Sequence, residues 1–254
     1  MHIALTGNLG SGKSTIGRLM NEKFGYEIYS TGKVLRQLAE ERGLTVLEMN
    51  KLMQSDHSYD HLIDDTTRKI SAEAKEDLFI DSRLAWYFAV NVFKVFLSVD
   101  IDEAARRVFN DNRGDVETYR DIADARAQLI ERARTEDVRY KDIYGIDYFN
   151  ASNYDLILDS TFSAPALLVE ILQAEKQHFE ELKKLGNAPS SPRILLSPGR
   201  LCGIKSGNTR DNNGIYESSA VVRMNVETFD VLEGMDEIRQ AALQGYEFIS
   251  VNAM

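Results

Sequence analysis

Three observations predict an α/β protein whose parallel sheet is covered by helices on both faces. A glycine-rich segment, Gly7-Asn8-Leu9-Gly10-Ser11-Gly12-Lys13-Ser14, stands between a short apolar run at 2–6 and an amphipathic stretch opening at Thr15. Beyond it, short apolar runs alternate with longer stretches whose apolar residues recur at helical spacing, the pattern of parallel strands joined by crossover helices. The 254 residues, 43% hydrophobic and 28% charged, suffice for one large core and a small addition.

Each element carries its own signal. His2-Ile3-Ala4-Leu5-Thr6 reads as a buried strand, and Thr15 to Met20 opens the first helix. Gly25 to Tyr29 predicts a second strand. Ser30-Thr31-Gly32 offers an N-cap to a helix from Lys33 to about Arg42, which Gly43 stops. A short helix from Thr45 follows, then one running through Ile63 and Ile70. Leu78-Phe79-Ile80-Asp81 is an apolar strand ending in a carboxylate, and Phe93 to Val99 is another. Segments 102–111 and 116–140 read as arginine-rich helices between two buried strands, where a mobile lid would be inserted. Tyr154 to Asp159 is the fifth strand, and 164–185 is a long closing helix.

Gly186-Asn187-Ala188-Pro189-Ser190-Ser191-Pro192 has the composition of a linker, which divides the chain into 1–185 and a small α/β segment at 193–254. That segment reads as a strand at 193–196, a Gly- and Asn-rich loop, an apolar run at Ala220-Val221-Val222, a strand, turn and helix over 229–245, and a last strand at 248–251.

The glycine-rich segment fits Gly-x-x-x-x-Gly-Lys-Ser/Thr in its proper strand-to-helix setting. Such a loop turns successive backbone N–H groups into one concavity at a helix N-terminus, where the helix dipole also favours an anion. Lys13 is expected to reach the β- and γ-phosphates and Ser14 to ligate Mg²⁺, with Asp81 holding the ion from the neighbouring strand end. Arginine grips phosphate oxygens in a bidentate fork. Arg36, Arg83, Arg107, Arg113, Arg132, Arg134 and Arg139 follow strands or lie on the arginine-rich helices. A net charge of −10, from 40 acidic and 30 basic residues, argues against nucleic acid and anionic membranes as partners. One cysteine excludes an internal disulfide framework, and no run suits a signal peptide or a membrane span, so a cytoplasmic location is expected. His57 and His61 stand four apart without a metal-site pattern and read as surface residues.

Residues 1 to about 175 resemble the cytidylate kinase family, in its short archaeal-type branch. The resemblance rests on Gly10-Ser11-Gly12-Lys13-Ser14-Thr15, on Ser30 to Gly43, on Asp81-Ser82-Arg83-Leu84-Ala85, and on Arg139-Tyr140-Lys141-Asp142-Ile143-Tyr144-Gly145-Ile146-Asp147. It implies a P-loop kinase core with a five-stranded parallel sheet in order 2-3-1-4-5, plus acceptor and lid subdomains. The implied reaction is phosphorylation of CMP or dCMP by ATP. ATP would be held by Gly7, Asn8, Gly10, Ser11, Gly12, Lys13, Ser14 and Thr15, with Arg107 and Arg113 near the donor nucleotide. Ser30, Arg36, Asp64 and Arg83 would hold the monophosphate, and Lys13, Arg132 and Arg139 would neutralise the transferring group.

Two stretches depart from the family pattern. Ile63-Asp64-Asp65-Thr66-Thr67-Arg68 lacks two basic positions, and Asp81-Ser82-Arg83 stands where the family has Glu-Gly-Arg. Both fall where the acceptor is read, which leaves cytosine and a modified pyrimidine open. A non-catalytic nucleotide switch with a C-terminal effector is the other class, and acceptor-phosphate arginines argue against it. The C-terminal segment resembles the ParB/sulfiredoxin-like fold, but two His of that pattern are absent at 233–237 and no catalytic role transfers.

Overall fold

A computed structural model of the chain describes residues 1–44, 46–111, 119–203, 212–218, 220–225 and 230–253, with the side chains of residues 36, 46, 47, 50, 51, 54, 212, 213 and 253 excepted. Arg113 therefore lies outside the described residues, as does the side chain of Arg36.

The predicted core is present. Strands β1 (His2–Gly7), β2 (Glu27–Ser30), β3 (Leu78–Asp81), β4 (Val92–Ser98) and β5 (Leu156–Asp159) pair in parallel in the order β2-β3-β1-β4-β5. Alternate residues serve opposite faces of this sheet. Ile3, Leu5, Phe79, Val95, Leu97, Leu156 and Leu158 pack on one face against Ile16 and Met20 of α1 (Lys13–Phe24) and Leu168 and Leu172 of α8 (Pro165–Lys184). Gly17 lets α1 lie tight on the sheet, because a Cβ there would come within 3.0 Å of the Phe79 ring. On the other face Phe96 and Ile157 meet an aromatic layer of Trp86, Phe88, Tyr140, Tyr148 and Tyr154.

Three helices following β2 form a satellite with its own small core of Ala39, Met49, Met53 and Ile63: α2 (Thr31–Glu41), α3 (Val46–Ser55) and α4 (Ser58–Glu73). A one-turn helix α5 (Ala85–Phe88) follows β3. The arginine-rich pair is α6 (Ile101–Asn110) and α7 (Ile122–Tyr144), held together at its base by Val99, Ala104, Val108, Ala125 and Leu129. The helix expected over 116–140 begins instead at Ile122, because the Asp121 side chain accepts from the Asp124 N–H and caps it there.

After α8 the chain does not leave the sheet. β6 (Arg193–Leu196) pairs in parallel with β5, so the expected linker at 186–192 is a crossover on one continuous sheet. α9 (Pro198–Leu201) follows β6. Further out, β10 (Tyr246–Ala253) runs antiparallel to β6 and pairs with β7 (Asn212–Tyr216) and β8 (Arg223–Asn225), and β8 pairs with the edge strand β9 (Asp230–Glu233). The apolar run at 220–222 precedes β8 without being strand itself. α10 (Met235–Leu243) buries Ile238 and Ala241 beside Val222 and Val251. Among the described residues no helix is long and apolar enough to cross a membrane.

Candidate active site

The C-terminal edge of the parallel strands carries the site. At Gly7 a Cβ would fall 2.3 Å from the Leu97 carbonyl oxygen, so only glycine lets β1 run against β4 and turn there. Gly10 adopts φ +77° and would place a Cβ 2.9 Å from the Ala104 carbonyl, which fixes the loop against α6. α1 then starts after Gly12, in the left-handed region, with no side-chain cap. Its first N–H groups consequently have no intrahelical acceptor and face the concavity of the loop. Ser14 and Thr15 are exposed on that rim.

Lys13 folds back over the loop. Its Nζ donates to the carbonyls of Gly7 and Asn8 at 3.0 and 2.9 Å. Burial, then the neighbouring Arg83 guanidinium, push this ammonium down to about 7, with Asp81 and Glu136 pulling the other way. A polyphosphate is the charge that would restore it. Asp81 is level with Leu5 of β1 and Ser30 of β2 at the sheet edge. Ser30 occupies the N-cap position of α2, yet its hydroxyl makes no cap bond.

Arginines from two elements converge next to Lys13. Arg83, just past β3, donates from Nη1 to the Gly7 carbonyl at 2.5 Å and sets Nε 2.9 Å from Glu136. Arg132 and Arg139 are two turns apart on α7, and Arg132 Nε donates to the other Glu136 oxygen at 3.1 Å. Against the effect of burial, Arg83 and Arg132 hold Glu136 below the usual carboxylate range. Arg139, 12% exposed, faces Asp60 of α4 at 3.8 Å. Its Nε and Asp60 Oδ2 are both buried with no hydrogen-bond partner among the described residues. Next to that pair the Tyr144 hydroxyl donates to Asp64 Oδ2. Burial pushes Asp64 up to about 6, Tyr144 opposes the shift, and Asp60 adds to it. His61 lies edge-on to Tyr144 at 5.8 Å. The satellite and α7 thus meet through two carboxylates, one guanidinium and one phenol.

The other side of the loop is a cavity of about 550 Å³ walled by Ser11, Gly12 and Thr15, by Arg106 and Arg107 of α6, and by the turn at 160–165. Arg107 braces that turn, donating from Nη2 to the Ser160 and Thr161 carbonyls at 2.7 and 2.9 Å. A second cavity, about 390 Å³, opens beside Asn8 under α7, and its floor includes Ile157 of β5 with Ile194 and Leu196 of β6.

The structure thus brings together Lys13, Asp81, Arg83, Arg132 and Arg139, with Asp64 one helical turn from Asp60. It puts Arg107 across the loop from them. Arg134, on the exposed side of α7, pairs with Glu131 at 3.4 Å and stays apart. Sequence reasoning missed Glu136, although its spacing of four from Arg132 is an ion-pair signal. It also missed Asp60 and the 160–165 turn, for which a single sequence offers no signal. Among the described residues no group of three His, Cys, Asp or Glu is arranged to hold a metal alone. Ser14 at the uncapped helix start and Asp81 at the end of β3 offer a hydroxyl and a carboxylate, the oxygen donors that Mg²⁺ takes.

Comparison with known proteins bears on this arrangement. The S-adenosylmethionine-dependent nucleotide dehydratase of Lacinutrix mariniflava is 32% identical over 197 residues, 77% of this chain but only 39% of that protein, so the chain matches about two fifths of its length. The cytidylate kinase of Natronomonas pharaonis is 36% identical over 167 residues, which is 65% of this chain and 83% of that one. An uncharacterized protein from Eubacterium ventriosum superposes with a TM-score of 0.50 at 16% identity, over 68% of this chain and 96% of that one, a likeness of fold alone. The family model described as "Cytidylate kinase-like family" matches residues 2–162, and the chain belongs to that family.

Proposed function

We propose that this protein transfers the γ-phosphoryl group of ATP to a nucleoside monophosphate, with CMP or dCMP as the acceptor. The observation that carries the reading is the convergence of Lys13, Arg83 and Arg132 on one point, with Arg139 on the same helix. A second anion-binding group facing the phosphate loop is what a transferase needs and what a nucleotide switch does not.

The residues divide the work. The open N-terminus of α1 and Lys13 hold the β- and γ-phosphates, and Ser14 and Asp81 hold Mg²⁺. An Mg²⁺ held by these two residues would supply neutralisation of the negative charge that develops on the phosphates. Ser30 and Arg83 take the acceptor phosphate, and Arg132 and Arg139 move onto the transferring group. An oxygen of the acceptor phosphate forms the new bond to the γ-phosphorus while the bond to the bridging β–γ oxygen breaks. That oxygen is already anionic, so no general base is required. Contacts between α7 and α4 exclude water, whose attack would waste ATP.

Cytosine is supported by the carboxylate pair. Asp60 Oδ2 is a buried acceptor without a donor among the described residues, and Asp64 lies one turn away. The exocyclic amine of cytosine would supply such a donor, whereas uracil and thymine carry a carbonyl oxygen at that position and donate only from the ring N3–H. A modified pyrimidine nucleotide is the second reading, favoured by similarity to a protein named as a nucleotide dehydratase.

The test is ADP release from ATP and Mg²⁺ across all natural ribo- and deoxyribonucleoside monophosphates. Turnover should be highest with CMP or dCMP. Turnover with none of them, beside tight ATP binding, refutes the natural acceptor and leaves the modified nucleotide to be tried.

A further inference from the structure

We infer that Arg200, from the part of the chain beyond the family-matched region, is a positioning residue for the donor nucleotide. The inference rests on the proposed kinase function and takes the 550 Å³ cavity, walled by Ser11, Gly12, Thr15 and Arg107, as the place of the ATP nucleoside.

The wall of that cavity at 160–165 is fixed from two sides. Arg107 holds it from α6 through the Ser160 and Thr161 carbonyls. The opposite anchor is Asp159, fully buried at the end of β5. Its Oδ1 accepts from the Thr161 N–H at 3.0 Å and from the Thr161 hydroxyl at 2.5 Å. A buried carboxylate of this kind needs a cation as well as neutral donors. Arg200 supplies it: Nη1 lies 3.2 Å from Asp159 Oδ1 and donates to Ser98 Oγ at 2.8 Å. The Ser197 N–H, at the turn between β6 and α9, donates to Asp159 Oδ2 at 3.1 Å.

The same bonds lead back to the phosphate loop. The Ser98 carbonyl accepts from the Ser160 N–H and hydroxyl at 2.8 and 2.9 Å. The Asp100 N–H donates to the Thr161 hydroxyl at 2.9 Å, and the Val99 N–H donates to Asn8 Oδ1 at 3.2 Å. One guanidinium therefore ties the ends of β4 and β5 to each other, the first joined to the loop that grips phosphate and the second to the turn that walls the nucleoside. Ile194 and Leu196 of β6 meanwhile floor the second cavity beside Asn8. The matched family region stops at residue 162, so this anchor is supplied from outside it.

A wall that loosens misplaces the bound nucleotide, and small displacements are costly in such sites. The full-length protein and its Arg200→Ala, Arg200→Lys and Arg193→Ala variants are compared for KM of ATP, KM of CMP and melting temperature. Arg193 serves as the control because it pairs with Glu217, just past β7, and with Ser250 of β10, and not with the turn. Arg200→Ala should raise the ATP KM about ten-fold and leave the CMP KM within about two-fold, and Arg200→Lys should recover about half of the loss on a logarithmic scale. Arg193→Ala should leave both constants unchanged. An unchanged ATP KM in Arg200→Ala overturns the inference, as do equal rises in both constants that follow the melting temperature. Binding of a fluorescent ATP analogue with Mg²⁺ separates this from the activity. A ten-fold weaker Arg200→Ala supports the inference even if CMP is not the acceptor, and a wild-type protein that binds no ATP refutes both readings.

Discussion

The two flanks of Lys13 are made of different material. On the proposed donor side the contacts come from backbone: N–H groups at the start of α1, glycines pressed against Leu97 and Ala104, and carbonyls at 160 and 161 fixed by Arg107. On the proposed acceptor side they come from charged side chains on three separate elements, with Arg83, Arg132, Glu136, Arg139, Asp60 and Asp64 compensating one another. A backbone cradle keeps its shape whether or not it is filled. A cluster of buried charges must hold a counter-charge at all times, and Glu136 supplies it to Arg83 and Arg132.

This contrast can be broken by variants, and the largest effect should come from the residue common to both flanks. Lys13→Ala is expected to lower the rate of ADP release by about 10³-fold or more, and Arg83→Ala by about 10²-fold with the ATP KM nearly unchanged. An ATP KM that rises in parallel in Arg83→Ala would erase the distinction between the flanks.

Glu136→Ala should cost about 3 kcal/mol of stability in the ligand-free protein, because it removes the carboxylate that the Arg83 and Arg132 guanidinium groups share. Denaturant titration measures the loss, and added monophosphate should stabilise this variant more than wild type. Equal stabilisation of the two would mean that Glu136 is not standing in for an anion.

The smallest effect concerns Asp64, whose carboxyl is raised from 3.8 to about 6 by burial. The folded state then binds more protons than the unfolded chain between those values, so stability is lost as pH rises through 6. Asp64→Asn removes that cost. Its melting temperature should exceed the wild-type value by a few degrees at pH 7.5 and by much less at pH 4.5. A constant offset across this range would show that Asp64 remains ionised throughout.

The donor cradle was legible in the sequence because strand, glycines, Lys13, Ser14 and helix are contiguous, so local spacing alone dictates their geometry. The parallel sheet followed from alternation and its strand order from the family resemblance, and the pairing of β2, β3, β1, β4 and β5 agrees. The expectation that failed locally was the start of α7, where the capping Asp121 decided between equally helical residues. Arginine positions were readable as a list of cations, but their sorting was not. Arg139 turns to Asp60 and Arg134 to solvent although they share one helix, because only one face of α7 meets α4.

What the sequence determined by itself was the parallel core and the phosphate loop, both products of short-range pattern. Tertiary structure alone decided which carboxylates face the arginines, and it carried residues past the Pro-containing crossover into the same sheet. Glu136, Asp60 and Arg200 acquire meaning from partners 41 to 102 residues away, at 2.8 to 3.8 Å. Burial makes those charges depend on one another, and no local pattern in the chain records which of them are buried together.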